Sequence, residues 1–237
     1  VHLPNVTEFV VACFELFHLR ALPVFALPAP RSREVTHLCS LSQATTYVAP
    51  VTHARYDFVK LGQLVKSTVT SVKRVLHVDL DRRASVIDAD TSSPIDGPPR
   101  EMDARGDCSD VALFLPSGGT TGLPKLIPRT HDDYVYNVRA SAKVCNLSAE
   151  DTYLAALPVG HNFAFGCPGI LGTLMVGGRV IMAGSGNPDE VFSLVEYERA
   201  TFTALVPPLA MLWLDAAANT KSDLSSLRLL QVGGAKI

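Results

Sequence analysis

Val111-Ala112-Leu113-Phe114-Leu115, followed by Ser117-Gly118-Gly119-Thr120-Thr121-Gly122-Leu123-Pro124-Lys125, is the stretch whose reading decides the fold. Its first part is a short continuous apolar run, the pattern of a sheet strand buried on both faces. Its second part is a turn suited to an anion. Gly118, Gly119 and Gly122 reach backbone angles closed to other residues and let amides approach a phosphate, while Ser117, Thr120 and Thr121 add hydroxyl donors. Lys125 supplies a mobile positive charge. A Walker loop needs glycine immediately before its lysine and Ser or Thr immediately after. Here Pro124 precedes Lys125 and Leu126 follows, which disfavours an ordinary P-loop NTPase. On these residues alone, a glycine-rich connection without a ligand stands beside the phosphate-binding reading.

Outward from this stretch the chain alternates between strand and helix patterns. Residues 44–49 and 74–78 read as strands around a helix near Phe58 to Ser67, the order of a parallel α/β layer. Residues 79–110 are polar and turn-rich, including Asp88-Ala89-Asp90-Thr91-Ser92-Ser93 and Asp96-Gly97-Pro98-Pro99-Arg100, and read as a surface connection. Thr130 as N-cap with Asp133 three residues on predicts a capping box opening a helix through Val144. Strands near 153–157, 179–182, 201–206 and 228–232 then alternate with helices near 167–174, 189–198 and 207–217. The fold class is therefore α/β, with a first subdomain over 1–146 carrying the 117–125 loop and a second over 147–237, joined near Asn146 to Glu150. Ligands of such open parallel sheets bind at the carboxyl ends of the strands.

Composition sets further bounds. Hydrophobic residues make up 47% and charged residues 19%, with a net charge of −2, the balance of a globular chain that implies no nucleic-acid partner. The apolar stretch from Phe9 to Leu27 is interrupted by Glu15, His18 and Arg20 and broken by Pro23 and Pro28, so it predicts a core helix and not a membrane span. Thr7 as N-cap and two adjoining apolar stripes, Phe9/Cys13/Phe17 and Val10/Phe14, predict that this helix is largely buried. Cys13, Cys39, Cys108, Cys145 and Cys167 are widely spaced and form no CxxC pair, which suits reduced thiols in the cytoplasm better than disulfides or zinc. Asn5-Val6-Thr7 and Asn146-Leu147-Ser148 fit the glycosylation pattern, but no signal peptide is read, so neither is expected to carry a glycan. Arg105-Gly106-Asp107 reads as a loop.

Ser117 to Lys125 followed by Leu126-Ile127-Pro128-Arg129-Thr130-His131 resembles the ATP-phosphate loop of the adenylate-forming superfamily. Pro158-Val159-Gly160-His161-Asn162-Phe163-Ala164-Phe165-Gly166-Cys167-Pro168-Gly169 resembles the acid-binding signature of its aryl-acid branch, which makes salicyl-AMP or 2,3-dihydroxybenzoyl-AMP for siderophores. Leu3-Pro4-Asn5, Leu22-Pro23-Val24, Leu27-Pro28-Ala29 and Leu229-Leu230-Gln231-Val232-Gly233-Gly234-Ala235-Lys236 match too, so the resemblance runs nearly end to end. Pro30 departs from it locally, standing where relatives often have histidine.

The resemblance implies layered αβα sheets and attack of an aryl carboxylate on the α-phosphate of ATP, with Mg2+, releasing pyrophosphate. Transfer to the phosphopantetheine thiol of an aryl carrier protein would follow. It assigns the β- and γ-phosphates to Ser117, Gly118, Gly119, Thr120, Thr121, Gly122 and Lys125, and places Gly233, Gly234 and Ala235 beneath adenine and the aryl ring. It makes His161 a gating aromatic, Asn162 the partner of the acid's ortho-hydroxyl and Phe163 an aromatic wall. Cys167 stands where members that accept the dihydroxy acid tend to carry serine, which favours salicylate. Each residue also has a plainer reading: a structural histidine, a turn asparagine, a core phenylalanine and an inert thiol.

No metal ligand and no catalytic residue is assigned within the chain. The family's magnesium-binding acid, ribose-binding aspartate and catalytic lysine are expected beyond Ile237, and with them most of the turnover. Thr120 and Asn162 are expected to open onto one cleft. A broader acyl-CoA synthetase and a non-catalytic remnant remain as alternatives.

Overall fold

The computed structural model describes residues 1–28, 32–81, 85–90, 93–94, 106–117 and 123–234. They form two compact units, Val1–Asp132 and Asp133–Ile237. The expectations for Ala29, Pro30, Thr91, Ser92, Asp96 to Arg100 and Arg105 lie outside the described residues.

The first unit opens with α1 (Thr7–His18), which buries Phe9 and Cys13 one turn apart. Phe9 packs on Phe25 with ring centroids 5.1 Å apart. The second stripe does not follow: Phe14 keeps 48% of its surface, and the expectation of a largely buried helix is corrected to a helix seated on one face. Thr7 is the first helical residue and not its cap; Val6 holds that position, with no side-chain bond. The next helix, α2 (Ser32–Leu41), has no counterpart in the sequence reading, because only Val35, Leu38 and Cys39 of its largely polar sequence are buried.

The strand β1 (Thr46–Pro50) leads through a short hairpin of β2 (Thr52–His53) and β3 (Tyr56–Asp57) into α3 (Phe58–Thr68). Asp57 caps α3 by accepting from the amides of Val59 and Lys60 at 3.0 and 3.2 Å. The crossover ends in β4 (Arg74–Asp79), which pairs parallel with β1 from Thr46↔Arg74 to Pro50↔Val78. This is the expected parallel layer. Part of the expected surface connection proves to be sheet: β5 (Ser85–Asp88) and β6 (Ser93–Pro94) add antiparallel in the order β1-β4-β5-β6. Val86 and Ile87 are the only large apolar residues of β5, too few to announce a strand; pairing to β4 supplies the rest.

The apolar run becomes β7 (Val111–Pro116), with Ala112, Leu113 and Leu115 buried. It pairs antiparallel with β8 (Leu126–Thr130), Pro116 lying opposite Leu126. Residues 23–25 run beside it, Phe114 donating its amide to the Pro23 carbonyl at 2.9 Å.

Thr130 leads straight into α4 (His131–Val144), as expected, and its hydroxyl donates to Asp132 Oδ1 at 2.5 Å. The units divide between Asp132 and Asp133, upstream of Asn146 to Glu150. The physical reason is the inner face of α4: Tyr134, Val138 and Ala142 are buried, and Tyr134 stacks on Phe165.

The second unit is a four-stranded parallel sheet. Its elements follow as β9 (Thr152–Ala155), α5 (Asn162–Gly166), α6 (Gly169–Met175), β10 (Arg179–Met182), α7 (Pro188–Glu198), β11 (Phe202–Leu205), α8 (Pro207–Ala217) and β12 (Leu229–Val232). The strand order is β10-β9-β11-β12. All four residues of β9 and of β11 are buried, which is why these central strands are largely apolar, with the Thr203 hydroxyl satisfied by the Leu154 carbonyl at 2.7 Å. One face is filled by Leu154, Val191, Phe192, Val195, Leu205 and Trp213. The helix expected at 167–174 is α6, and a further short helix, α5, precedes it without a counterpart in the sequence pattern, the two separated at Cys167-Pro168.

Candidate functional site

In the second unit, the 156–161 segment leaves the carboxyl end of β9, and Gly233-Gly234 leaves that of β12, two strands away in the same parallel sheet. The two ends meet. A Cβ on Gly233 would lie 3.3 Å from Phe163 Cζ, so the glycine backbone sits against the phenylalanine ring. Gly233 also donates to the Leu205 carbonyl at 3.1 Å, and Gly234 follows with φ +89, an angle that favours glycine.

His161 caps α5, its Nδ1 accepting from the Phe163 amide at 3.2 Å. An accepting Nδ1 places the ring proton on Nε2. Loss of solvation lowers the His161 pKa below the ordinary imidazole value, so the ring is neutral at pH 7 and offers Nε2–H as a donor. Asn162 Oδ1 accepts from the Tyr134 hydroxyl at 3.1 Å. Cys167 is half-buried, and its carbonyl accepts from Gln231 Nε2 at 3.4 Å. His161, Asn162, Phe163, Cys167, Gly233 and Gly234 therefore belong to one neighbourhood. Tyr134, Asn137 and Gln231 join them without having been singled out in the sequence. The signal for the first two is the α4 face itself, with Tyr134, Val138 and Ala142 at helical spacing and Asn137 beside them.

In the first unit, Ser117 and Lys125 close the base of the β7–β8 hairpin. The Ser117 amide donates to the Lys125 carbonyl at 2.8 Å, and Lys125 returns its amide to Ser117 Oγ at 2.9 Å. The glycine-rich stretch thus joins two paired strands. Gly118, Gly119, Thr120, Thr121, Gly122 and Ala235 lie outside the described residues, as does the expected cleft shared by Thr120 and Asn162. Among the described residues no three His, Cys, Asp or Glu groups are placed to hold a metal ion. No helix of the described residues is long and apolar enough to cross a membrane, and all five cysteines are free.

Asp151 fixes the strands behind the site. Its carboxylate accepts from Arg228 Nε and Nη2, both at 2.8 Å, from Thr201 Oγ1 at 2.8 Å and from the Ser148 amide at 2.8 Å. Chiefly through Arg228, these bonds hold its pKa down at about 2. Arg228 immediately precedes β12, so the pair anchors the strand that delivers Gly233.

The family model described as AMP-binding enzyme matches residues 1–237. The chain belongs to the AMP-binding enzyme family. Among its relatives, a 2,3-dihydroxybenzoate-AMP ligase of Bacillus subtilis is 46% identical over 236 residues, covering all of this chain and 43% of the relative. A salicyl-AMP ligase / salicyl-S-ArCP synthetase of Mycobacterium tuberculosis is 42% identical, covering all of this chain and 41% of its own length. The apo structure of Mycobacterium smegmatis MbtA superposes with a TM-score of 0.83 at 44% identity over 99% of this chain and 42% of that one. This family member therefore spans less than half the length of the curated relatives it matches. Its α/β architecture agrees with that expected from the alternating pattern.

Proposed function

We propose that this chain supplies the phosphate hairpin and the acid-binding segment of an ATP-dependent aryl-acid adenylating enzyme, with salicylate preferred over 2,3-dihydroxybenzoate. The observation that carries the reading is the meeting of the His161-Asn162-Phe163 segment with Gly233 at the carboxyl ends of a parallel sheet, the edge at which such sheets bind ligands. The relatives named as salicyl- and dihydroxybenzoyl-AMP ligases support it.

In this reaction a carboxylate oxygen forms a bond to the α-phosphorus of ATP, the α–β bridging bond breaks, and pyrophosphate leaves with the electron pair. No protein nucleophile is required; the protein orients two anions and spreads the developing charge. The amides and hydroxyls of Ser117 to Gly122 and the charge of Lys125 suit the leaving phosphates. ATP would arrive as its magnesium complex, the ion carried by the nucleotide. The neutral His161 offers Nε2–H to the acid, Asn162 meets its ortho group, and Phe163 with Gly233 and Gly234 forms the flat slot for the ring. The Cys167 thiol is a weak hydrogen-bonding group, so an acid lacking the 3-hydroxyl forgoes nothing there. The adenylate would then pass to a carrier-protein phosphopantetheine thiol.

Pyrophosphate release by the full-length protein tests the reading. Salicylate is expected to outperform 2,3-dihydroxybenzoate by up to about a hundredfold, the scale on which a largely apolar pocket rejects one added hydroxyl. Cys167→Ser should narrow that ratio. Release with aliphatic acids alone, or thioester formed only on free coenzyme A, overturns it in favour of a broader acyl-CoA synthetase.

A further inference from the structure

The following inference rests on the assignment of Asn162 to the ortho substituent of the acid. A carboxamide has an acceptor end and a donor end, and the end turned toward a ligand decides which ligand group it takes. In the present chain Tyr134 faces the acceptor end. Its hydroxyl donates to Asn162 Oδ1 at 3.1 Å, so the acceptor end of the amide is engaged by the protein.

Tyr134 is itself tightly held. It is 4% exposed, and its ring stacks on Phe165 with centroids 6.3 Å apart and planes 29° from parallel. A Cβ on Gly166 would fall 2.5 Å from its hydroxyl oxygen, so the tyrosine occupies space that only glycine leaves open. Asn137, one turn further along α4, donates Nδ2 to the Gly166 carbonyl at 2.7 Å and fixes that glycine in place. The brace runs from two residues of α4 to both ends of α5.

We propose that Tyr134 is a specificity-determining positioning residue: it sets the polarity of Asn162 so that the amide presents N–H to the bound acid, and thereby selects aryl acids whose ortho group accepts a hydrogen bond. Salicylate fits, because its hydroxyl proton is drawn to its own carboxylate and leaves the phenolic lone pairs facing outward. 2-Aminobenzoate does not. Its nitrogen lone pair is delocalised into the ring and an N–H points outward, so donor would face donor inside a partly desolvated site, where an unmatched polar group is costly. 2-Fluorobenzoate is a small, weak acceptor and should fall between them.

The test measures kcat/KM for pyrophosphate release by the full-length protein with salicylate, 2-fluorobenzoate and 2-aminobenzoate, in wild type and in Tyr134→Phe. Wild type should favour salicylate over 2-aminobenzoate by up to about a hundredfold, the scale on which one unmatched polar group disfavours a ligand. In Tyr134→Phe the amide can turn over, and that ratio should fall at least about tenfold, an effect that loss of packing alone would not produce, since it would slow both acids together. The wild-type series decides the matter even where the variant fails to fold: equal use of salicylate and 2-aminobenzoate removes the inference and leaves the adenylation reading standing. An unchanged ratio in folded Tyr134→Phe does the same, whereas absence of release with every aryl acid removes both.

Discussion

Replacing Asp151 with asparagine isolates one charge at the root of the site. The carboxylate is 5% exposed and receives two guanidinium bonds from Arg228, a hydroxyl bond from Thr201 and an amide bond from Ser148. Its pKa falls from the ordinary 3.8 to about 2; at about 1.4 kcal/mol per pKa unit, the folded state favours the charged form by roughly 2 to 3 kcal/mol. A depressed folded-state pKa stabilises the fold above the unfolded value and loses that contribution as pH falls toward the folded value. Wild type should therefore lose this stability between about pH 4 and pH 2, where the carboxylate takes up its proton. The Asp151→Asn variant would keep the shape but set an uncharged amide against Arg228, so a loss of about 2 to 4 kcal/mol is expected at pH 7. Urea unfolding followed through Trp213, the only tryptophan and a buried one in the second unit, measures both curves. Asp57, Asp88, Asp107 and Asp223 are also shifted down, so the informative quantity is the difference between wild type and variant. It should shrink toward zero as pH approaches 2. A gap that persists there would mean that packing, and not charge, holds this junction, and the reasoning would be refuted.

Two further outcomes follow from the same unit. Gly169 has φ +46, and a Cβ there would overlap the Ala164 carbonyl oxygen, so Gly169→Ala should lower the unfolding midpoint by more than the roughly 1 to 2 kcal/mol of a left-handed alanine alone, since the opposing atom is backbone and has no rotamer to yield. An unaltered midpoint would show that the α5–α6 junction adapts. Tyr153 buries its hydroxyl with no partner among the described residues, so Tyr153→Phe should be neutral or stabilising in the same urea assay; a loss above about 1 kcal/mol would reveal a bond to that oxygen.

The central strands and the long helices are legible because each carries its own pattern. Phe202 to Leu205 is buried on both faces and is apolar except for Thr203, and Pro207 to Ala217 begins with the proline that suits a first helical turn. Elements stabilised by a neighbour are not. Ser85–Asp88 becomes a strand only because β4 offers an open edge, and Ser32–Leu41 has one narrow buried face in a polar sequence. The exposed side of α1 shows the reverse error: Phe14 is apolar and in helical register, yet what buries a stripe is a partner surface, and only Phe9 and Cys13 meet one.

The same distinction divides the candidate site. A phosphate loop works through backbone amides between two paired strands, so its requirement is conformational and shows directly as glycine and hydroxyl residues in one continuous stretch. Recognition of an acid depends on how a side chain is aimed, and the atoms that aim it come from elsewhere in the chain. Tyr134 lies 28 residues from Asn162, and Gln231 lies 64 from Cys167. Under the proposed function, residue identities in the 158–169 segment point to an aromatic acid, while the choice among such acids would be divided between that segment and the residues behind it. A change of selectivity should then be obtainable at Tyr134 or Gln231 with His161-Asn162-Phe163 intact, and a motif read alone understates the number of positions that determine the substrate.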